Sequence, residues 1–364
     1  MRVVVYLGDT VRGKTLGVAH YATNLVHSLA NRHGTEVTLL GGAKVVGAYH
    51  DLPEVRLIDE ASIESVRSQI SRDHDLLLLV HQFQPRPVDL PTVVVVHDLH
   101  VYDVGWKYAK GRSRLVRSLH KNVIRANAVV SHFPNTITRL MEVEPLAEGK
   151  TFLTVCPSLI DDYDFDQQTV ASVDARFGLG DDRPMVLYPA QLQLHKNHWN
   201  LLNAVYNLKR DGLDLRLICT GGSAWPESWA DALALRVGYL GLTDVHFPGY
   251  VLGSDLRALY QRATAVVSPS LAEGGAYLAQ EALLHDTAVA CSAIPGAVAH
   301  LERMNMAVPT FDPYDVTAIA AGLRQAVDHS KDITTAYGPA REVVSGWTWD
   351  VLADQVVESL ESVA

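Results

Sequence analysis

The sequence predicts an α/β protein made of two doubly wound, Rossmann-like halves. Three observations predict it. Short apolar runs rich in β-branched residues alternate with longer stretches whose apolar residues recur at helical spacing. Such alternation marks parallel strands buried on both faces, joined by crossover helices. The pattern occurs twice, before and after a break near residues 157–183. The first run is followed by a glycine-bearing turn and then a helix, which opens a βαβ unit.

In order, the first-half strands are expected at residues 3–7, 36–40, 76–80, 92–96 and 128–131. Between the first two, residues 18–32 carry Val18, Tyr21, Leu25 and Leu29 at helical spacing. At the break, Pro157 and the acidic run at 161–166 interrupt the pattern. The second half repeats it, with strands expected at 185–188, 215–220, 245–247, 265–268 and 288–290. Its helices are expected at 197–209, 228–239, 256–262, 275–284 and 316–327. Two such sheets facing across a cleft bind ligands at the carboxyl ends of their strands.

Composition agrees with a globular chain. Of 364 residues, 48% are hydrophobic, enough for two cores. The formal net charge of −10 argues against wholesale binding of nucleic acid. An anionic ligand must then be held by local cations and backbone N–H groups. Cys156, Cys219 and Cys291 stand in or beside apolar runs without a C-x-x-C, and read as small buried core residues. Reduced thiols, an N-terminal apolar run too short for a signal peptide and the absence of any long apolar stretch lead to a cytoplasmic expectation. No P-loop and no G-x-S-x-G is present, and the first turn reads Gly8-Asp9-Thr10-Val11-Arg12-Gly13-Lys14, not G-x-G-x-x-G.

The segment from Ser268 to Leu283 carries the most chemistry: SPSLAEGGAYLAQEAL. Gly274 and Gly275 permit positive φ and close backbone approach. A helix opening after them points unpaired N–H groups outward, a seat for a diphosphate. Glu273 precedes the turn and Glu281 follows eight residues on, about 12 Å away at helical rise. That separation suits a ligand with an anion in the middle and hydroxyl-rich groups at both ends, as in a nucleotide sugar. Taken singly, Glu273 also reads as an ordinary helix N-terminal charge and Glu281 as part of a solvated face. The neighbours Ala279, Ala282 and Leu283 make an idle charge at Glu281 awkward.

Glu273 through Glu281 resembles the E-x7-E signature of retaining GT-B glycosyltransferases, particularly family four. Residues 247–251 (FPGYV), 256–260, 265–271 and 288–292 resemble that family's text around the signature, and Tyr188-Pro189-Ala190-Gln191 with His195-Lys196-Asn197-His198 resembles its donor-phosphate turn. The likeness is weaker in the first half, at 17–25 and 94–99. It implies a GT-B fold: an acceptor-binding domain at 1–160, a nucleotide-sugar-binding domain at 180–345, and a final helix at 346–364 packing back on the first domain. It implies that Glu281 binds ribose, Glu273 and His97 reach the donor sugar, and Lys196 neutralises the leaving diphosphate. Gly17, Gln191, Tyr250, Gly274, Gly275, Ala276 and Tyr277 complete the donor-binding set. Two departures stand out. Gln191 occupies a place where the family commonly has arginine, which leaves Lys196 to act with His195 or His198. Gly275 to Ala279 replaces the family's usual Phe-Gly-Leu-Pro.

The resemblance implies a UDP- or GDP-linked donor, a small-molecule, glycan or lipid-linked acceptor, and no metal or other cofactor. His195/His198 and His97/His100 have metal-pair spacing but no third ligand. The D-x-D matches at 162–164 and 164–166 fall in the expected linker. Residues 106–141 hold no Asp or Glu, while Lys110, Arg114, Arg117, Lys121 and Arg125 form one helical stripe. That stripe is either a solvated face or a surface for anionic lipid or an anionic acceptor. A nucleotide-sugar-binding protein without transferase activity, and a GT-B-shaped epimerase or hydrolase, are the rival functions.

Overall fold

The computed structural model describes residues 1–8, 17–49, 52, 55–105, 111–158, 167–222, 228–251 and 253–362. Residues 9–14 of the first turn, Lys110 of the basic stripe and the D-x-D matches lie outside them.

Contacts divide the chain into two units, Met1–Leu159 with Gly346–Ala364, and Ile160–Ser345. The first unit runs β1 (Arg2–Gly8), α1 (Gly17–Asn31), β2 (Glu36–Gly41), α2 (Ala43–Val46), β3 (Arg56–Asp59), α3 (Ile63–Asp73), β4 (Leu76–Leu79), β5 (Thr92–Val95), α4 (His100–Asp103), α5 (Arg112–Arg125), β6 (Ala128–Ser131), α6 (Pro134–Val143) and β7 (Thr151–Leu153). Its seven strands are parallel in the order β3-β2-β1-β4-β5-β6-β7. The unbroken apolar runs are explained by two cores. Val3, Val5, Leu7, Leu76, Leu78, Val93 and Val95 pack on one face of the sheet. Val4, Tyr6, Leu77, Leu79, Val94 and Val96 pack on the other.

The second unit runs α7 (Gln167–Phe177), β8 (Met185–Pro189), α8 (His198–Arg210), β9 (Arg216–Thr220), α9 (Ser228–Leu240), β10 (Val245–Gly249), α10 (Gly253–Arg262), β11 (Ala265–Ser268), α11 (Tyr277–Leu284), β12 (Ala288–Ser292), α12 (Pro295–Arg303), β13 (Thr310–Phe311), α13 (Val316–Asp328), α14 (Ser330–Thr335) and α15 (Gly338–Val344). Its six parallel strands lie in the order β10-β9-β8-β11-β12-β13. Both orders reverse direction once, at β1/β4 and at β8/β11. Open α/β sheets take ligands beyond the carboxyl ends of the strands at such a switch point.

The last helix, α16 (Trp349–Glu361), belongs to the first unit. Leu352, Ala353, Val356 and Val357 enter the core beside α1. Arg32 Nε meets Asp354 Oδ1 at 2.6 Å, and the Val155 amide donates to the Gln355 side chain at 2.8 Å.

Two expectations need correction. The helix expected at 275–284 begins at Tyr277, after Ala276 at φ −82° and ψ 58°. Gly274 and Gly275 are poor helix formers and stay in the loop, so the helical figure for the Glu273–Glu281 separation does not apply. Nor does either glycine adopt positive φ. Short strands β3, β7 and β13 were not expected, being too brief or too polar to stand out. All three cysteines are free and buried. Among the described residues no helix is long and apolar enough to cross a membrane.

Candidate functional site

The turn that leaves β8 is fixed by its neighbours. The Ala190 amide donates to Thr220 O at 3.0 Å and the Leu192 amide to Gly222 O at 3.1 Å. Gly221, at φ +115°, lets β9's turn press against this backbone, since a Cβ there would lie 2.6 Å from Ala190 O. Gln191 is thereby held in place, and its side chain accepts a 2.6 Å bond from Gln193. Gly221 also donates to Gly249 O at 2.7 Å, which ties in the turn that carries Tyr250. Tyr250 is 46% exposed.

The chain then makes one 3-10 turn, Leu194–Lys196, which ends at Asn197 with φ 60°. Asparagine tolerates that left-handed conformation better than most residues. Its buried amide donates to Pro269 O at 2.9 Å and Pro313 O at 2.8 Å. The Leu271 amide donates to His195 O at 2.8 Å. The Tyr188 hydroxyl donates to Lys196 O at 2.7 Å and lies 3.2 Å from Ser270 Oγ. The loops after β8 and β11, which flank the switch point, are thus sewn together by buried hydrogen bonds.

That stitching sets Lys196 Nζ 2.5 Å from Glu273 Oε1, with each side chain about one-fifth exposed (21% and 20%). Behind them, Gly296 at the start of α12 touches the same loop: a Cβ there would lie 2.1 Å from Glu273 O. Beyond Glu273, Gly274 to Ala276 lead into α11, whose first N–H groups have no helical acceptor. Glu281, one turn into α11, is 2% exposed. Burial and then the nearby Glu281 charge raise the Tyr260 hydroxyl's pKa, and burial and then Glu273 do the same at Tyr188. His198 lies under the turn with its ring 4.7 Å from Tyr188. Neither of its nitrogens has a partner among the described residues, and burial, then Lys196, lowers its pKa to about 3.

The structure therefore brings Lys196, Glu273 and the Gly274–Tyr277 backbone together at one switch point, with Gln191 and Tyr250 on adjoining turns. Gly17 and His97 belong to the other unit. Gly17 is the exposed first residue of α1. His97 follows β5, and its Nε2 is 2.8 Å from Val80 O. The sequence placed Tyr188 and Asn197 in the turn motif without a role for either, and it did not point to Gly296. The left-handed asparagine was the readable signal; nothing in the sequence places Gly296 against Glu273. Among the described residues no group of three His, Cys, Asp or Glu could hold a metal.

A cation paired to a carboxylate, beside the N-terminus of a helix at a switch point, is equipped to hold a phosphate and a polyhydroxyl group. Comparison with known proteins identifies the stretch. Residues 172–344 match the family described as glycosyl transferases group 1. An uncharacterized glycosyltransferase of Methanocaldococcus jannaschii is 25% identical over 94% of this chain and 93% of its own. The O-antigen chain mannosyltransferase B of Escherichia coli is 28% identical over 70% of this chain and 66% of its own. Among solved structures, Anabaena HepE in complex with UDP-glucose covers all of both chains with a TM-score of 0.79 at 17% identity. The fold is GT-B, with two Rossmann-like units.

Proposed function

We propose that the chain is a retaining glycosyltransferase that moves a hexosyl group from a UDP- or GDP-linked sugar to a hydroxyl acceptor without a metal. One observation carries this reading: Lys196 and Glu273 meet at the switch point of the glycosyltransferase domain, on loops locked to the opening of the helix that carries Glu281. The relative named for mannosyl transfer and the neighbour bound to UDP-glucose support a hexosyl donor.

In this proposal the donor's diphosphate sits at the α11 opening and draws Lys196 away from Glu273. The freed carboxylate then accepts hydrogen bonds from the transferred sugar, and Glu281 accepts them from the ribose. The backbone of Gly274, Gly275, Ala276 and Tyr277, with Gly17, Gln191 and Tyr250, completes the donor's surroundings, and His97 serves the transferred sugar. The glycosidic bond breaks with oxocarbenium character and its electron pair leaves on the diphosphate oxygen. Lys196 and the helix-end N–H groups stabilise that charge. The diphosphate takes the acceptor hydroxyl's proton as the new bond forms on the same face. We further propose a cytoplasmic protein whose α5 face touches anionic membrane. The Lys196–Glu273 pairing and the neutral Gln191 favour a second reading, a sugar-nucleotide binder without transfer. Incubation with UDP-glucose or GDP-mannose across acceptor classes, with mass detection and NMR of the anomeric proton, tests both. A glycosylated product of retained configuration supports transfer; nucleotide binding with no product on any acceptor leaves the binder.

A further inference from the structure

At the amino-terminal edge of the first unit's sheet lies an open cavity of about 380 Å³, lined by Arg67, Arg86, Pro87, Val88, Asp89 and Arg125. Its volume falls within the range of small-ligand pockets, about 300–1,000 Å³. The segment after β4 runs down α5 to reach it. Ser118 Oγ donates to Phe83 O at 3.0 Å, and the Asn122 amide donates to Gln84 O at 2.7 Å. That path brings residues 86–89 beside Arg125, the last residue of α5, while Arg67 comes from α3. Strands β5 and β6 begin just afterwards, at Thr92 and Ala128, so the cavity lies away from their carboxyl ends.

The three arginines differ in what already occupies them. The Arg86 side chain is 20% exposed and pairs with Asp89 at 3.1 Å. It also donates to the Val88 and Leu90 carbonyls and, at 3.4 Å, to Arg125 O at the end of α5. Four of its five N–H groups are thus used, and capping the helix accounts for it. Lys150 Nζ takes the Ile124 and Ala126 carbonyls on either side, at 3.1 and 2.9 Å. The end of α5 therefore has its cations without the Arg125 guanidinium, which has no hydrogen bond or ion pair among the described residues. Arg67 meets Glu64, 3.0 Å away on the same helix, a carboxylate 80% exposed. An exposed pair of that kind holds a cation weakly. The lining carries three positive charges against the one carboxylate of Asp89, in a chain whose net charge is −10.

Guanidinium groups around a cavity meet phosphate oxygens with charge-assisted, paired hydrogen bonds. Asp89 indicates what else the ligand carries. Its carboxylate repels a bare anion but accepts a hydrogen bond from a hydroxyl. Pro87 and Val88 add a small apolar wall, and among the described residues no aromatic ring lines the cavity for a nucleobase to stack on. We propose that this cavity binds a phosphorylated polyol, its phosphate held by Arg67, Arg125 and the remaining N–H of Arg86, and a hydroxyl held by Asp89. A soluble polyol phosphate and a phospholipid headgroup share that chemistry. The inference stands on the first unit alone and does not depend on the glycosyltransferase reading.

The experiment uses the full chain in two arms. Calorimetry with inositol 1-phosphate and with inorganic phosphate reads a soluble ligand. Co-sedimentation with phosphatidylcholine vesicles, with and without phosphatidylinositol, reads a headgroup. Saturable binding is expected, and the arm that shows it identifies the source. Arg67→Gln should weaken it about tenfold or more. Arg67 lies outside the α5 stripe, so this variant separates the cavity from that face. Arg125→Gln should weaken the soluble arm as much, while Arg117→Gln, on the stripe but outside the lining, should leave that arm unchanged. Asp89→Asn should weaken inositol 1-phosphate and not inorganic phosphate. Arg86 is left in place because it closes α5. Binding of UDP or GDP should be the same in every variant. No binding in either arm, binding that survives Arg67→Gln, or inorganic phosphate held as tightly as the ester would overturn the inference.

Discussion

Gly296→Ala tests whether the position of Glu273 is set from behind by α12. An alanine Cβ would stand 2.1 Å from Glu273 O, 2.9 Å from Gly274 O and 3.1 Å from Gly274 C. All three are backbone atoms, so no side chain can swing away, and the loop must retreat by more than an ångström. Overpacking of that kind costs about 1–3 kcal/mol, against a gain of about 0.5–1 kcal/mol from replacing glycine within a helix. A loss of about 1–2 kcal/mol in stability is expected. The larger effect is on function, because a misplacement of about 1 Å in a catalytic group can cost about a hundredfold in rate. Gly338→Ala is the control: it opens α15, and a Cβ there meets nothing within 4 Å. Urea titrations and kcat for the two variants give the answer. If Gly296→Ala matches Gly338→Ala in both, α12 does not position Glu273 and the account of the loop is wrong.

Lys196→Ala should lower turnover more than it weakens nucleotide binding, because charge grows on the diphosphate in the transition state; steady-state kinetics beside calorimetry measure both. Gln191→Arg should tighten nucleoside diphosphate binding in the same calorimetry by adding a cation to the turn that Gly221 holds. His198 has a folded pKa of about 3 against 6.5 unfolded, so in that window only the unfolded chain takes the proton and stability falls as the pH is lowered. Its share of the loss at pH 5 is about 2 kcal/mol, and His198→Phe should remove that much from the difference between pH 7 and pH 5 denaturation curves. On α5, Arg114, Arg117, Lys121 and Arg125 are exposed and make no ion pair among the described residues. If this face meets membrane, the protein should co-sediment with acidic liposomes and be released by salt, and no sedimentation at low salt would leave a solvated face.

The central strands were legible because burial on both sheet faces requires apolar residues at every position, as in VVVYL and LLLLV. The flanking elements were not. β13 has two residues, and α3 buries Ile70 alone, so neither leaves a period to read. The ingredients of the site could be read because Lys196, Glu273 and Glu281 stand at strand ends or in unexpected apolar company. Their arrangement could not. The 2.5 Å contact of Lys196 with Glu273 depends on Asn197, Tyr188 and Ser270, bonds across more than seventy residues of sequence that no local pattern encodes. The glycine pair shows the limit from the other side: Gly274 and Gly275 permit positive φ, yet neither adopts it.

The central claim is that Glu281 and Glu273 clasp the two ends of one nucleotide sugar, and calorimetry of Glu281→Ala and Glu273→Ala tests it most directly. Each titration uses UDP or GDP alone, whichever binds, and then the intact sugar nucleotide. Glu281→Ala should weaken both ligands, because ribose is present in both. Glu273→Ala should leave the bare nucleotide nearly unaffected and weaken the intact donor. A charged hydrogen bond lost in each case is worth roughly 1.5–3 kcal/mol, about ten- to a hundredfold in affinity. If both variants bind both ligands as the parent does, the two glutamates are not the donor clamp and the assignment of this site fails.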